Sequence, residues 1–69
     1  MNKQTLWDII RLTVEVENLL LKHGELDLYN VRVEYHPPNK NYTIVLKDVN
    51  SETYTILNPH HLGIDISHV

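Results

Sequence analysis

The sequence predicts an α+β fold: one N-terminal helix packed on a three- to four-stranded antiparallel β-meander, in the order α-β-β-β. Three observations carry that prediction. Apolar residues recur at helical spacing from about residue 4 to residue 23, up to a glycine stop. Strict period-two alternation begins at residue 29 and resumes twice. Two breakers, Pro37-Pro38 and Asn50-Ser51, separate the alternating runs.

The helix is read over about 4–23. Thr5-Leu6-Trp7-Asp8 has the spacing of a capping box, with Asp in place of Glu, and Asn2 competes as the cap. Lys22 and His23 suit the negative end of the helix dipole, and Gly24 is a natural left-handed stop. After a connection at 25–30, Tyr29, Val31, Val33 and Tyr35 alternate with polar residues through His36 and form the first strand, 29–36. The second strand, 42–49, turns Tyr42, Ile44 and Leu46 to the core and Val45 and Val49 outward. Asn50-Ser51 is a tight hairpin tip, and the third strand, 53–57, is read with Tyr54 and Ile56 inward. In the tail, 58–69, Asn58, Pro59 and Gly63 mark one helical turn by its cap, first position and stop. The alternation of residues 64–69 makes a short fourth strand or a tail.

Size restricts the options further. Sixty-nine residues make a single small domain, and a chain this short buries only about 60% of its unfolded surface. With no cysteine there are no disulfides and no thiolate zinc sites. Association is the remaining way to stabilise so small a core. The net charge is −3, from 6 Lys+Arg against 9 Asp+Glu, and the cations are scattered singly. That argues against nucleic acid, whose binders cluster positive charge to displace counterions. No apolar run approaches the roughly 20 residues of a bilayer span, so no membrane is expected and the cytoplasm is the default compartment. A helix followed by a meander is also the order in Sm-like subunits and double-stranded-RNA-binding domains. The glycine-bearing loops of the first and the basic closing helix of the second are absent, so no family is assigned.

The least ordinary feature is Glu17. On a wheel of about 100° per residue, the apolar residues of 6–21 fill an arc of roughly 240°, with Glu17 between Ile10 and Leu20. One sheet face needs an apolar stripe only somewhat wider than about 100°. The surplus points to a second burial surface, and hence to a homo-oligomer. Glu17 either snorkels at the helix edge or sits at an interface paired with Arg32, Lys47 or a histidine, since an unpaired buried carboxylate costs several kcal/mol. The candidate interface residues are Trp7, Leu12, Glu17 and Leu19 on the helix and Val45 and Val49 on the outer sheet face.

Catalysis finds no support. Glycines at 24 and 63 alone cannot build a phosphate loop, and Ser51 and Ser67 have local turn or tail explanations. No catalytic or cofactor-binding residue is assigned. His60, His61, Asp65 and His68 have ligand chemistry but sit near the C-terminus with no metal-motif spacing, so no metal residue is assigned and no cofactor is expected. The expected function is that of a small non-catalytic protein-binding accessory protein: an adaptor, inhibitor or regulator, of a size common in phages and mobile elements, acting as a homo-oligomer on a protein partner that the sequence leaves unidentified. The alternatives are an oligomeric nucleic-acid binder, whose lysines combine across subunits, and a metal-responsive protein using the C-terminal histidines.

Overall fold

In the computed structural model, which describes residues 2–64, one helix crosses a three-stranded antiparallel sheet, as the sequence predicts. Helix α1 spans Lys3–Lys22. Its cap is Asn2, whose side-chain oxygen accepts from the Thr5 N–H at 2.8 Å. Of the two caps the sequence offers, Asn2 is therefore the one used, and Thr5 and Asp8 are buried within the helix. The other end closes as expected: the Gly24 N–H donates to Leu21 O and the Glu25 N–H to Leu20 O. That pair of bonds needs a left-handed residue between them, and Gly24 supplies it at φ 70°.

A 3₁₀ turn, Leu26–Leu28, leads into β1, Tyr29–His36. Pro37 and Pro38 then turn the chain, with Lys40 in the left-handed region at φ 54°. Strand β2, Asn41–Asp48, returns in register with β1 over its whole length, from Tyr29 opposite Asp48 to His36 opposite Asn41. Strand β3, Tyr54–Leu57, pairs with the other edge of β2, so β2 is central. Asp48 Oδ1 accepts from the Asn50 N–H and Ser51 Oγ from the Thr53 N–H, which holds the tip where the sequence puts it.

That register corrects one expectation. With the tip at Asn50-Ser51, Tyr54 falls opposite Lys47 and Ile56 opposite Val45. Both belong to the outer face and are exposed, Ile56 by 66%. The core face receives Leu57, opposite Ile44, and Thr55, opposite Leu46. Alternation divides a strand into two sets of residues, but only pairing decides which set faces inward.

The core joins Leu12, Val16 and Leu20 of α1 to Val33 of β1 and Tyr42, Ile44 and Leu46 of β2. The helix packs chiefly on β1. After β3, the turn Pro59–Leu62 ends at Gly63 with φ 73°, fulfilling the cap-proline-glycine pattern. Leu62 and Ile64 then pack against the edge of the core. The fourth strand read at 64–69 falls almost wholly outside the described residues.

Candidate interaction surface

The broad apolar arc of α1 resolves into two stripes on opposite sides. The inner one runs Thr5, Asp8, Leu12, Val16 and Leu20, each three or four residues from the last, and all five are buried. The outer one holds Leu6, Trp7, Ile10, Val14 and Leu21, all exposed, Trp7 by 66% and Leu21 by 62%. On the helical wheel the outer stripe is centred roughly 150° from the inner one. Two narrow stripes were legible only as a single wide arc because they nearly meet on one side, at Leu20 and Leu6, where the one residue between them, Thr13, is self-satisfied. Thr13 donates its hydroxyl to its own helix at Ile9 O, 2.7 Å away, and so places no polar demand on its surroundings.

Glu17 lies within the outer stripe and is exposed. The cations suggested as its partners are engaged on the sheet. Arg32 pairs with Glu34 at 3.2 Å, and Lys47 with Glu52 at 3.8 Å and with the Ser51 carbonyl at 3.2 Å. Glu17 therefore sits among oily neighbours with water beside it. Desolvation would come only from whatever covers this face.

The remaining candidates divide. Leu12 is fully buried in the core, which takes it out of any surface contact. Leu19 is half-buried and faces away from the outer stripe, lining a groove of about 450 Å³ between the helix and Leu62. Val45 lies on the outer sheet face as read, but it is central there, flanked in register by Arg32 and Ile56, and only 5% exposed. Val49 is exposed. The surface on that side of the molecule is carried by Tyr54, Ile56 and Val49. The sequence missed the first two because their bulk made them look like core.

One polar constellation also escaped the sequence. Asp8 is 3% exposed, and its two oxygens accept from the Tyr42 hydroxyl at 2.8 Å and from Gln4 Nε2 at 3.1 Å. Burial of the Tyr42 phenol, together with its hydrogen bond to the Asp8 carboxylate and the negative charge there, raises the Tyr42 pKa to about 12. Tyr35, opposite Tyr42 in the ladder, packs its ring against Tyr42 with centroids 5.0 Å apart. This cluster links the first turns of the helix to the central strand. It has the chemistry of a structural lock: a buried carboxylate that accepts from the Tyr42 phenol and the Gln4 amide and so ties helix to sheet. No buried side-chain nitrogen or oxygen among the described residues is left without a partner.

The paired histidines also have a local task. His61 Nδ1 accepts from the Asn58 N–H at 3.2 Å, which closes the cap of the last turn. The 3₁₀ turn also brings the rings of His60 and His61 to 4.5 Å between centroids. Among the described residues no three metal-ligating side chains come together. Asp65 and His68, the other members of the suggested set, lie outside those residues. Nor, among the described residues, is any helix long and apolar enough to cross a membrane.

No protein-family model matches the chain, and no curated protein or solved structure matches it either.

Proposed function

We propose that this chain is a small non-catalytic protein-binding accessory protein that works as a homo-oligomer through the outer face of α1. The observation that carries this is the outer stripe itself. Five large apolar side chains lie on one face of a 20-residue helix, on the side away from the core. The largest contiguous apolar patch on a protein surface often marks an interaction site. Covering it also supplies burial that a 69-residue core lacks. The second exposed apolar group, Tyr54 and Ile56, lies on the far side of the sheet, beside the edge of β3 that pairs with no other strand among the described residues. It supports a role for that side in holding an unlike protein, and an open strand edge is a template for such contacts.

Sedimentation equilibrium tests the homo-oligomer. The expected result is a mass above the 8.1 kDa monomer at about 10–100 μM, a range typical of interfaces at the small end of the stable class. Val14→Glu should return the monomer with the fold intact. A wild-type chain that stays monomeric throughout refutes the proposal.

A further inference from the structure

The outer face of α1 carries a regular seam. Lys3, Trp7, Ile10, Val14, Glu17 and Leu21 follow one another at spacings of 4, 3, 4, 3 and 4 residues. All six are exposed and all six are helical. Alternating steps of four and three are the heptad signature of a helix that packs lengthwise against another helix. The seam is apolar at four places and charged at two, and the charges are opposite. Lys3 and Glu17 stand seven residues on either side of Ile10, so they are about 21 Å apart along the axis at about 1.5 Å per residue.

That symmetry selects both the partner and its direction. We infer that the outer face of α1 pairs antiparallel with α1 of a second copy of this chain, about a twofold axis near Ile10, so that Lys3 of each copy meets Glu17 of the other. The inference rests on the self-association proposed above and adds the partner helix, its polarity and its register. A parallel pair would set Lys3 against Lys3 and Glu17 against Glu17, with like charges facing at both ends of an oily seam. An antiparallel pair turns both clashes into ion pairs. The two registers that layer seam residue on seam residue, with the axis between Trp7 and Ile10 or between Ile10 and Val14, each leave Lys3 within about one helical turn, roughly 5–6 Å along the axis, of the opposing Glu17. The charge in the oily stripe thus acquires a purpose: charged or polar seam residues set orientation and register at some expense of affinity. Two polar residues that flank the seam are engaged elsewhere. Thr13 is bonded to its own backbone, and Arg11 pairs with Glu15 at 3.3 Å, away from the seam. The sheet, on the other side of the helix, does not obstruct the approach.

Charge reversal distinguishes the arrangements. Lys3→Glu and Glu17→Lys should each weaken self-association about tenfold, because each puts two like-charge contacts into the dimer in place of two ion pairs. The double variant Lys3→Glu/Glu17→Lys should restore wild-type affinity to within about threefold. Both positions are exposed, so circular dichroism should show an unchanged fold. The chain has no native cysteine, which allows a second measurement on introduced thiols alone. An equimolar mixture of Lys3→Cys and Glu17→Cys proteins, oxidised under mild conditions, should give mainly the mixed disulfide. Lys3→Cys alone should cross-link poorly, its sulfurs being about 20 Å apart along the axis. A wild-type dimer that is indifferent to both single reversals, and whose Lys3→Cys form cross-links readily to itself, overturns the antiparallel seam while leaving self-association standing. A wild-type chain that never leaves the monomer overturns both.

Discussion

The two long faces of α1 are built from nearly the same residue types and meet opposite fates. The inner face places Leu12, Val16 and Leu20 against the sheet and ends in two polar residues, Thr5 and Asp8, that are buried with them. The outer face is oilier near its start, with Leu6, Trp7 and Ile10, yet all of it is exposed. Hydrophobicity alone does not rank the two. The sheet offers Val33, Ile44 and Leu46 opposite the leucines and a phenol opposite Asp8, so a carboxylate is buried while a tryptophan stays out. The contrast teaches that complementarity to the partner surface, including hydrogen bonds to otherwise costly polar atoms, decides which stripe is core.

The sharpest way to break that contrast is to truncate one leucine on the inner face and one isoleucine on the outer. Leu12→Ala should destabilise the fold by about 2–5 kcal/mol, the range of a cavity in a packed core. The loss should be the same at every protein concentration. Ile10→Ala should cost the monomer less than about 1 kcal/mol but lower the melting temperature more at high concentration than at low, because it weakens association. Thermal melts at two concentrations a hundredfold apart separate these responses. Identical, concentration-independent losses would mean that the two faces are not distinct.

Next in size is the polar end of the inner face. Tyr42→Phe removes one of the donors to Asp8 and should cost about 1–3 kcal/mol near neutral pH. The same phenol gives the fold an alkaline limit. Its folded pKa, raised to about 12 from an ordinary 10.0, means that the unfolded chain releases this proton first. Its contribution to stability is complete below pH 10 and is lost as pH rises toward 12. Urea midpoints measured across that window should fall more steeply for the wild type than for Tyr42→Phe. Parallel curves would place the phenol outside the folding balance.

Away from the helix, Lys40 holds a left-handed conformation at φ 54° in the turn after the two prolines. Lys40→Gly should relieve that strain and stabilise by up to about 1 kcal/mol, less the added freedom of the unfolded chain. A destabilised variant would show that the lysine side chain anchors the turn. The smallest effect is expected at Glu17. In the dilute monomer, Glu17→Gln should change stability by less than about 0.5 kcal/mol, as for other exposed substitutions without a special role. A larger effect at a concentration where only monomer is present would reveal a partner for Glu17 within its own chain.

Much of the architecture was legible beforehand because it rests on local chemistry. The start and stop of α1 fall within a residue of those read, since Gly24 can close a helix whatever packs on it. The first strand falls where alternation places it, and the second within one residue. The facing of β3 was misread, although the hairpin tip held the answer: once Asn50-Ser51 is the turn, Tyr54 must lie opposite Lys47. The choice between Asn2 and Thr5 as the cap stayed open because Thr5 and Asp8 have the right spacing for a capping box, while their burial depends on a tyrosine 34 residues beyond Asp8. Of the interface residues, Trp7 and Glu17 lie on the outer stripe and Leu12 does not, because a wheel shows an arc but not the direction of the sheet.

By itself the sequence determined the elements, their order and the surplus of apolar surface, since caps, glycine stops, proline breaks and periodicity act over a few residues. The tertiary structure alone decided which side of α1 is core, and that Asp8 rather than Glu17 is the buried carboxylate. Those outcomes depend on contacts between residues far apart in the chain. The physical reason is that burying a charge or exposing an oily side chain is settled by what lies opposite, and the spacing of residues along one strand or helix does not contain that information.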